Sequence, residues 1–388
     1  MSAIVPNRQR NAVRGLVRPV GGFMILLSLL AYASPASAVP AWSRRYGFSC
    51  AMCHASPSLQ LTATGLDFLR RGHRLTGDKF DKDLANLLSV HGEWTYTKQE
   101  KEPAPFESPD VHFHAGGAIS AHFSSYADVT LNGGVVETLM LQFTKEHGDD
   151  SYFTARIGKI SPTIIRNYGN GLMAAASTPL VLTNATLADN PFTPARESFG
   201  IDVGQRWRRL FVQAGVLNGE DIPGQAAVRD HKDIFASAEL TASEQPTGIG
   251  YYYYRGGYDL GDPAASTHFD RYDRSSVFAN YTREKLRLAG AYVFGKDRVQ
   301  TLNERRMRGY YVQADVHPLD AAVPFARYDW VRTEQEDGAQ RTWKVAVGSA
   351  FRLFESEITA GRAVIEVYRK SEAGVKANGA MANLLWAF

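Results

Sequence analysis

The sequence predicts an all-β fold, a sixteen-stranded antiparallel β-barrel of the outer-membrane type that follows a small α-helical N-terminal module. Three observations support this prediction. Apolar and polar residues alternate along segment after segment of 88–388, which is the period-two pattern of strands with one apolar face. The connections between these segments are alternately short and long, and the last segment ends on an aromatic residue, as in membrane barrels.

A secretory signal peptide is predicted over residues 1–38. A basic stretch without acidic residues precedes the apolar run 24–30 and the small-residue cleavage site 36–38; the basic residues are Arg8, Arg10, Arg14 and Arg18. The apolar run is shorter than the roughly 20 residues of a permanent membrane helix, which disfavours the alternative of an uncleaved anchor. Removal of the signal leaves 39 basic and 40 acidic residues. The overall charge therefore does not indicate a nucleic-acid partner.

The exported chain begins with a cofactor motif. Cys50-Ala51-Met52-Cys53-His54 has the spacing at which two thiols attach one haem c covalently and the adjacent histidine binds its iron. Cys50 and Cys53 are the only cysteines of the chain, and the alternative interpretation is a redox dithiol or a surface disulfide. Export favours haem, because cytochrome c maturation takes place outside the cytoplasm. We predict a mono-haem cytochrome c module over 39–82, with His54 as the proximal iron ligand.

The ligand on the other side of the haem iron stays open. The segment 64–73 is predicted to form a short helix with Thr64 as its N-cap and with Leu66, Leu69 and His73 on one face. His73, nineteen residues after His54, is therefore the first distal candidate. The alternative is a histidine that caps the helix or lies on the surface.

Three further histidines are weaker candidates for the haem iron. His112, His114 and His122 lie in and just past the second predicted strand and share the parity of its polar face. On a barrel, the polar face of a strand points into the lumen. These side chains could bind a haem inside the barrel or form a metal contact along the lumen. The alternative interpretation is a polar lumen lining without a ligand.

The barrel prediction rests on sixteen segments, whose lengths fit the roughly 9–11 residues of a tilted membrane strand. They lie near 89–98, 110–121, 125–132, 134–144, 151–159, 198–207, 209–218, 232–241, 247–257, 269–281, 285–295, 306–316, 322–332, 341–351, 356–369 and 378–388. The turn at 132–134 breaks the short-long rhythm of connections. The long segment 160–197 is expected to fold into the lumen or to cover its mouth.

The C-terminus and the aromatic residues favour a membrane barrel over a β-sandwich. Leu384, Trp386 and Phe388 alternate along the last strand, which predicts an apolar outer face up to the end of the chain, against an ordinary buried strand. The chain has 20 Phe, 18 Tyr and 6 Trp, as expected for aromatic girdles at the two membrane interfaces. The run 251–254 of four tyrosines is interpreted as part of a girdle in preference to an electron relay.

The N-terminal segment resembles a known family. Residues 40–75 are similar to the single-haem cytochrome–porin fusions of bacterial outer membranes, which include iron-oxidising outer-membrane cytochromes; the matching residues are Pro40, Arg44, Tyr46, Pro57, Leu61-Thr62 and Gly65. Trp42-Ser43 replaces a Phe-Ala pair of the family, and His73 stands where relatives often have tyrosine. The similarity over the barrel is architectural.

This resemblance implies a haem module that plugs the barrel or lies just inside it. It implies electron transfer across the outer membrane between an extracellular donor or acceptor, such as ferrous iron, and a periplasmic c-type cytochrome or other redox protein. An Fe(II) oxidoreductase activity is one form of this function. The alternative is a diffusion porin for anions or small solutes with an accessory haem, in which Arg206–Arg209 or Arg305-Arg306 line the path. A soluble periplasmic cytochrome with a β-sandwich is the third possibility.

Overall fold

The computed structural model describes residues 41–55, 58, 60–83, 86–100, 102, 109–148, 150–161, 174–183, 192, 197–219, 232–242, 247–259, 269–299, 304–317, 321–335, 338–355 and 359–388. The predicted signal peptide lies outside these residues.

The strands are β1 (Leu88–Gln99), β2 (Asp110–Ala118), β3 (Phe123–Thr130), β4 (Val135–Glu146), β5 (Ser151–Ile160), β6 (Ser198–Trp207), β7 (Leu210–Leu217), β8 (Asp233–Thr241), β9 (Gly248–Asp259), β10 (Phe269–Arg283), β11 (Leu286–Val299), β12 (Arg305–Val316), β13 (Ala322–Gln335), β14 (Gly338–Glu355), β15 (Ala360–Glu372) and β16 (Val375–Ala387).

The sixteen strands form one closed antiparallel barrel in sequence order. Each strand pairs with its neighbours in the chain, and β1 pairs with β16 from His91 opposite Ala387 to Gln99 opposite Gly379. Two backbone hydrogen bonds between Val90 and Phe388, of 2.8 and 2.9 Å, extend this seam to the last residue. Closure removes the unpaired edges of an open sheet. The predicted sixteen-stranded antiparallel barrel is confirmed.

The two faces of the strands differ as the alternation predicts. On β6, Phe199, Ile201 and Val203 are exposed on the outside of the barrel, whereas the intervening Asp202 is buried inside. Directly after β16, Phe388 is 52% exposed and its ring stacks on Trp386. The outer wall is therefore apolar and exposed, and the polar residues face inward, which is the reverse of a soluble protein. Among the described residues no helix is both long and apolar enough to cross a membrane.

The connections divide between the two ends of the barrel. Both chain ends of the barrel and seven short connections lie at one end, hereafter the short-turn end; these connections are 119–122, 147–150, 208–209, 242–247, 284–285, 317–321 and 356–359. The other end carries 100–109, 131–134, 161–197, 218–232, 260–268, 300–304, 336–337 and 373–374. The predicted loops 333–340 and 370–377 are shorter than expected, because β13 continues to Gln335, β14 begins at Gly338 and β15 continues to Glu372. In the last hairpin Ala373 and Gly374 form the turn, with positive φ of 48° and 85°.

The N-terminal segment, residues 41–83, precedes β1. It contains helix α1 (Ala41–Tyr46), a 3-10 turn (Cys50–Met52) and helix α2 (Ala63–Arg70). The N-cap of α2 is Thr62, whose hydroxyl accepts a hydrogen bond from the Gly65 backbone at 3.1 Å. The prediction of Thr64 as the cap is therefore two residues late. The predicted helix also extends too far, because Gly72 adopts a positive φ of 80° and ends α2 before His73.

Candidate functional site

The haem-attachment motif forms a loop that is held against the start of α2. The Thr62 amide donates to the Cys53 carbonyl at 2.9 Å, and the Thr62 hydroxyl donates to the Met52 carbonyl at 2.5 Å. His54 and Leu61 form an antiparallel β-bridge. The sequence folds in this way because Thr62 caps the helix and also closes the loop. Hydrogen bonds to the Met52 and Cys53 carbonyls and the β-bridge at His54 therefore hold the motif on both sides of Cys53.

Gly65 is the position where α2 comes closest to this loop. A Cβ atom at Gly65 would lie 2.1 Å from the Cys53 carbonyl oxygen, which belongs to the backbone and cannot rotate away. A side chain at this position would force the loop and the helix apart. Gly65 is therefore a packing requirement of the attachment loop. Gly65 is one of the residues on which the resemblance of the sequence rests. Its close approach to Cys53 is a physical reason for a glycine at this position.

We expect Gly65→Ala to loosen the N-terminal segment. The overlap with Cys53 should cost about 1–3 kcal/mol of local stability, so a protease should cleave the segment 41–83 about tenfold faster while the barrel stays intact. The matched control is Gly133→Ala, where the added Cβ meets only the Val135 side chain at 3.5 Å. Equal cleavage rates for both variants would contradict this packing role.

Cys53 has the environment of a structural thiol in the unmodified chain. It is free and half-buried, and burial raises the pKa of its thiol to about 11. A redox dithiol instead needs a thiolate that forms near neutral pH. The environment of Cys53 therefore disfavours the redox-dithiol alternative. His54 is half-buried as well, and Met52 is exposed on the outside of the loop.

His73 lies in the interior of the segment, between two aromatic rings. Its ring stacks on Trp42 with 4.8 Å between centroids and on Tyr126 of β3 with 4.2 Å. Burial lowers the pKa of His73 to about 3, so the imidazole is neutral. Its buried Nδ1 atom has no hydrogen-bond partner among the described residues. A neutral imidazole with an unused nitrogen fits the donor set that a haem iron requires opposite His54.

The N-terminal segment is bound to β4 and, four strands further round the barrel, to β8. Arg70 forms an ion pair with Glu239, and both side chains are buried. Arg71 pairs with Glu146 at 2.9 Å. The backbone carbonyls of Arg70 and Arg71 accept hydrogen bonds from two further β4 side chains, at 2.7 and 3.1 Å; the donors are Gln142 and Thr144. The end of α2 is thus connected to the barrel by charges and by backbone groups.

The segment also reaches β11 and β12, which lie across the lumen from β4, and it contacts β2 near β4. The Gln60 amide donates to Asp315 of β12 and accepts a 2.7 Å hydrogen bond from Arg287 of β11. Trp42 donates to the Gly116 carbonyl on β2 at 3.2 Å. All these wall residues lie on the halves of their strands next to the short-turn end. The N-terminal segment therefore lies across the lumen at this end of the barrel.

The luminal histidines form a cluster that the sequence predicted only in part. His112 and His114 face the lumen, and His91 of β1 lies beside them, with ring centroids 4.4 and 4.6 Å away. His122 does not join them. β2 ends at Ala118, and His122 lies exposed in the turn 119–122 against Phe143. Its predicted luminal position is wrong for this reason.

His91 could have been found from the pairing of β1 with β2, where it stands directly opposite His112. Its own strand offers no sign of a site, because a single histidine on the polar face of a strand is an ordinary residue. Across the part of the chain that the structure describes, no three His, Cys, Asp or Glu side chains have ligating atoms arranged around a metal position.

Residues 174–183 of the long connection between β5 and β6 lie in the lumen, which is one of the two predicted arrangements. They include helix α3 (Leu180–Thr183), and the Leu180 amide donates to Asp329 of β13 at 3.1 Å. Ser177 bonds to Lys344 at 2.5 Å and to Glu366. This segment enters the lumen from the end opposite the short-turn end. The N-terminal segment and residues 174–183 therefore each occupy part of the lumen.

Comparisons with known proteins identify the barrel but not the N-terminal segment. No family model matches the chain, and no curated protein matches it. The outer-membrane protein OmpT of Vibrio cholerae is similar in structure, with 13% identity, a TM-score of 0.56 and coverage of 80% of this chain and 100% of that one. The anion-selective porin of Comamonas acidovorans has 11% identity, a TM-score of 0.58 and coverage of 78% and 98%.

OmpF of Salmonella typhi gives the same result, with 10% identity, a TM-score of 0.54 and coverage of 78% of this chain and 97% of that chain. At such low identities the similarity concerns the fold alone. It agrees with the strand number, the closed antiparallel order and the apolar outer wall described above. The chain has the porin-like β-barrel fold of bacterial outer-membrane proteins.

Proposed function

We propose that the protein is an outer-membrane barrel of porin type that carries one covalent haem c on its N-terminal segment and transfers electrons across the membrane. Cys50 and Cys53 would hold the haem, and His54 would bind its iron, with His73 as the distal candidate. The haem supplies a one-electron carrier when it is bound. The contacts between the N-terminal segment and the barrel would position this carrier.

The observation that carries the proposal is the position of the attachment loop. The segment that bears it is bound to β4, β8, β11 and β12. A cofactor attached there would lie at the end of the lumen. A hydrocarbon layer is about 30 Å thick, so a carrier inside the barrel shortens the gap that an electron must cross.

The barrel also suggests an orientation. Outer-membrane barrels have short periplasmic turns and longer extracellular loops, so the short-turn end and the N-terminal segment would face the periplasm. A periplasmic c-type cytochrome or another redox protein would exchange electrons there. An extracellular metal, such as ferrous iron, or another redox donor or acceptor would react at the opposite end. Lipid would surround the apolar outer wall.

The second candidate is a solute porin with an accessory haem, and the comparisons favour it more directly. The similar structures are outer-membrane proteins, among them a porin. One of them is anion-selective. In this chain the inward-facing Arg327 and Lys344 are paired with Asp329 and Glu366 at 2.9 and 2.8 Å. These cations are neutralised, which weakens the case for an anion path at this level of the lumen.

Two measurements separate the candidates. In intact cells, the electron-transfer function predicts that external ferrous iron reduces the haem and that His54→Ala abolishes this exchange, while His122→Ala leaves it unchanged. In planar bilayers, the porin function predicts an ion conductance that is the same in the unsubstituted chain and in the Cys50→Ser/Cys53→Ser variant. Haem reduction that survives His54→Ala would refute the electron-transfer proposal.

A further inference from the structure

We infer that His91, His112 and His114 form a binding site for a divalent transition-metal cation on the inner wall of the barrel, with Asp128 as its supporting carboxylate. The strand register brings these four residues together. His91 stands opposite His112 in the pairing of β1 with β2, and His114 stands opposite Asp128 in the pairing of β2 with β3. Residues up to 37 positions apart in the chain thus share one inward-facing patch.

The hydrogen bonds orient two of the imidazoles for metal binding. The Nδ1 atom of His112 lies 3.0 Å from Asp128 Oδ1, and Nδ1 of His114 lies 2.7 Å from the Tyr126 hydroxyl. An oxygen partner on one ring nitrogen leaves the other nitrogen as the ligand, and such partners accompany most histidine ligands of metals. The Nε2 atoms of His112 and His114 are therefore the expected donors.

His91 supplies the third nitrogen. Its Nδ1 atom directly faces Nε2 of His114, so both donors already point to one place. In a tetrahedral site the nitrogens of two imidazoles bound to one metal are roughly 3.3 Å apart. Small rotations of the His91 and His114 side chains would open this spacing and admit the ion. The ring of His112 stacks parallel to that of His91 at 4.4 Å, so a rotation of the His112 side chain is needed to bring its Nε2 atom to the same ion.

The donor set selects the class of ion. Three imidazoles with a nearby carboxylate suit zinc, copper, nickel or iron, whereas magnesium and calcium require oxygen ligands. The nearest oxygen of Asp128 is 3.7 Å from His114 Nδ1, so Asp128 contributes negative charge close to the ligands. All four side chains are partly exposed to the lumen, and a cation in the lumen could therefore reach them.

The site adjoins the N-terminal segment. The same Tyr126 that bonds to His114 stacks its ring on His73 at 4.2 Å. A metal at the cluster would therefore lie one side chain away from the proposed distal haem ligand. The binding site itself rests on β1, β2 and β3 alone and does not depend on the proposed function.

Calorimetric titration of the purified chain in detergent with Zn²⁺ tests the inference. We expect one zinc ion per chain in the unsubstituted protein and in the Cys50→Ser/Cys53→Ser variant. The pair His91→Ala/His114→Ala should lose it. His122→Ala should retain it, because His122 contacts Phe143 and Thr144 instead. Tyr126→Phe, which removes only the hydroxyl, should weaken binding by about tenfold or more.

Co²⁺ provides a second readout, because its visible absorption reports nitrogen ligation and geometry. Equal zinc stoichiometry in the His91→Ala/His114→Ala variant and the unsubstituted chain would overturn the inference, as would loss of zinc in His122→Ala. If zinc binds only while Cys50 and Cys53 are present as free thiols, the site lies at the attachment motif and the inference is wrong. Haem content, measured on the same samples, tests the proposed function separately.

Discussion

The Cys50→Ser/Cys53→Ser variant is expected to contain no covalently bound haem, whereas the unsubstituted mature chain is expected to contain one. The two thiols are the only cysteines of the chain, and a hydroxyl does not replace a thiol in the bond to a haem vinyl group. Haem staining of the denatured protein on a gel, together with the absorption of its pyridine complex, measures this directly. The expected change is complete loss of the signal.

The control for this experiment is Ala51→Ser, which changes an exposed residue within the same loop and keeps both thiols. We expect it to retain full haem content. The barrel should form in all three proteins, because no described strand residue depends on the two thiols for its pairing. Heat-dependent gel mobility verifies this. An unsubstituted chain without covalent haem, obtained from a host that matures c-type cytochromes, would disprove the haem assignment.

The second large effect is expected from a buried ion pair inside the barrel. Arg274 of β10 and Asp297 of β11 are both fully buried, and two hydrogen bonds of 2.8 and 3.0 Å join them. Arg274 also donates to the carbonyls of Asp273 and Lys296 at 2.8 and 3.2 Å. Arg274→Met leaves the Asp297 carboxylate without its main partner. We expect the free energy of unfolding to fall by about 3–5 kcal/mol.

Urea-induced unfolding in detergent, followed by tryptophan fluorescence, measures this change. Arg306→Met on β12, the strand next to β11, is the matched control. Arg306 is 72% exposed and pairs with Glu304 at 3.2 Å. An exposed pair contributes about 0–1 kcal/mol. Similar losses for both variants would mean that the interior of the barrel around Arg274 is as well hydrated as its surface, and the argument from burial would fail.

The strands and the attachment motif could be predicted because both are local signals. Alternation depends only on successive side chains pointing to opposite faces, so all sixteen strands were located from the residues themselves. The apolar outer face of the last strand, from Leu384 to Phe388, follows from the same rule. The Cys50–His54 spacing is equally local, since its five residues define the chemistry without reference to the rest of the chain.

The errors occurred where the backbone leaves a regular pattern. Parity predicts a luminal position for His122, but β2 ends at Ala118 and His122 lies in the turn that follows. The sequence predicts a helix that includes His73. The helix ends at Arg70, because Gly72 adopts a left-handed conformation. Glycine permits these conformations at little cost. The sequence shows that they are possible at each glycine but not which glycine adopts them.

The sequence by itself determined the strand number, the apolar outer wall and the position of the attachment motif, because each depends on neighbours along the chain. Only the tertiary structure decided which residues that are far apart in the chain contact one another. It brought His91 to His112, joined Gln60 to Asp315 and Arg287, and bound Arg70 to Glu239. These contacts join residues between 21 and 255 positions apart. They follow from strand register and barrel closure, which are properties of the whole sheet.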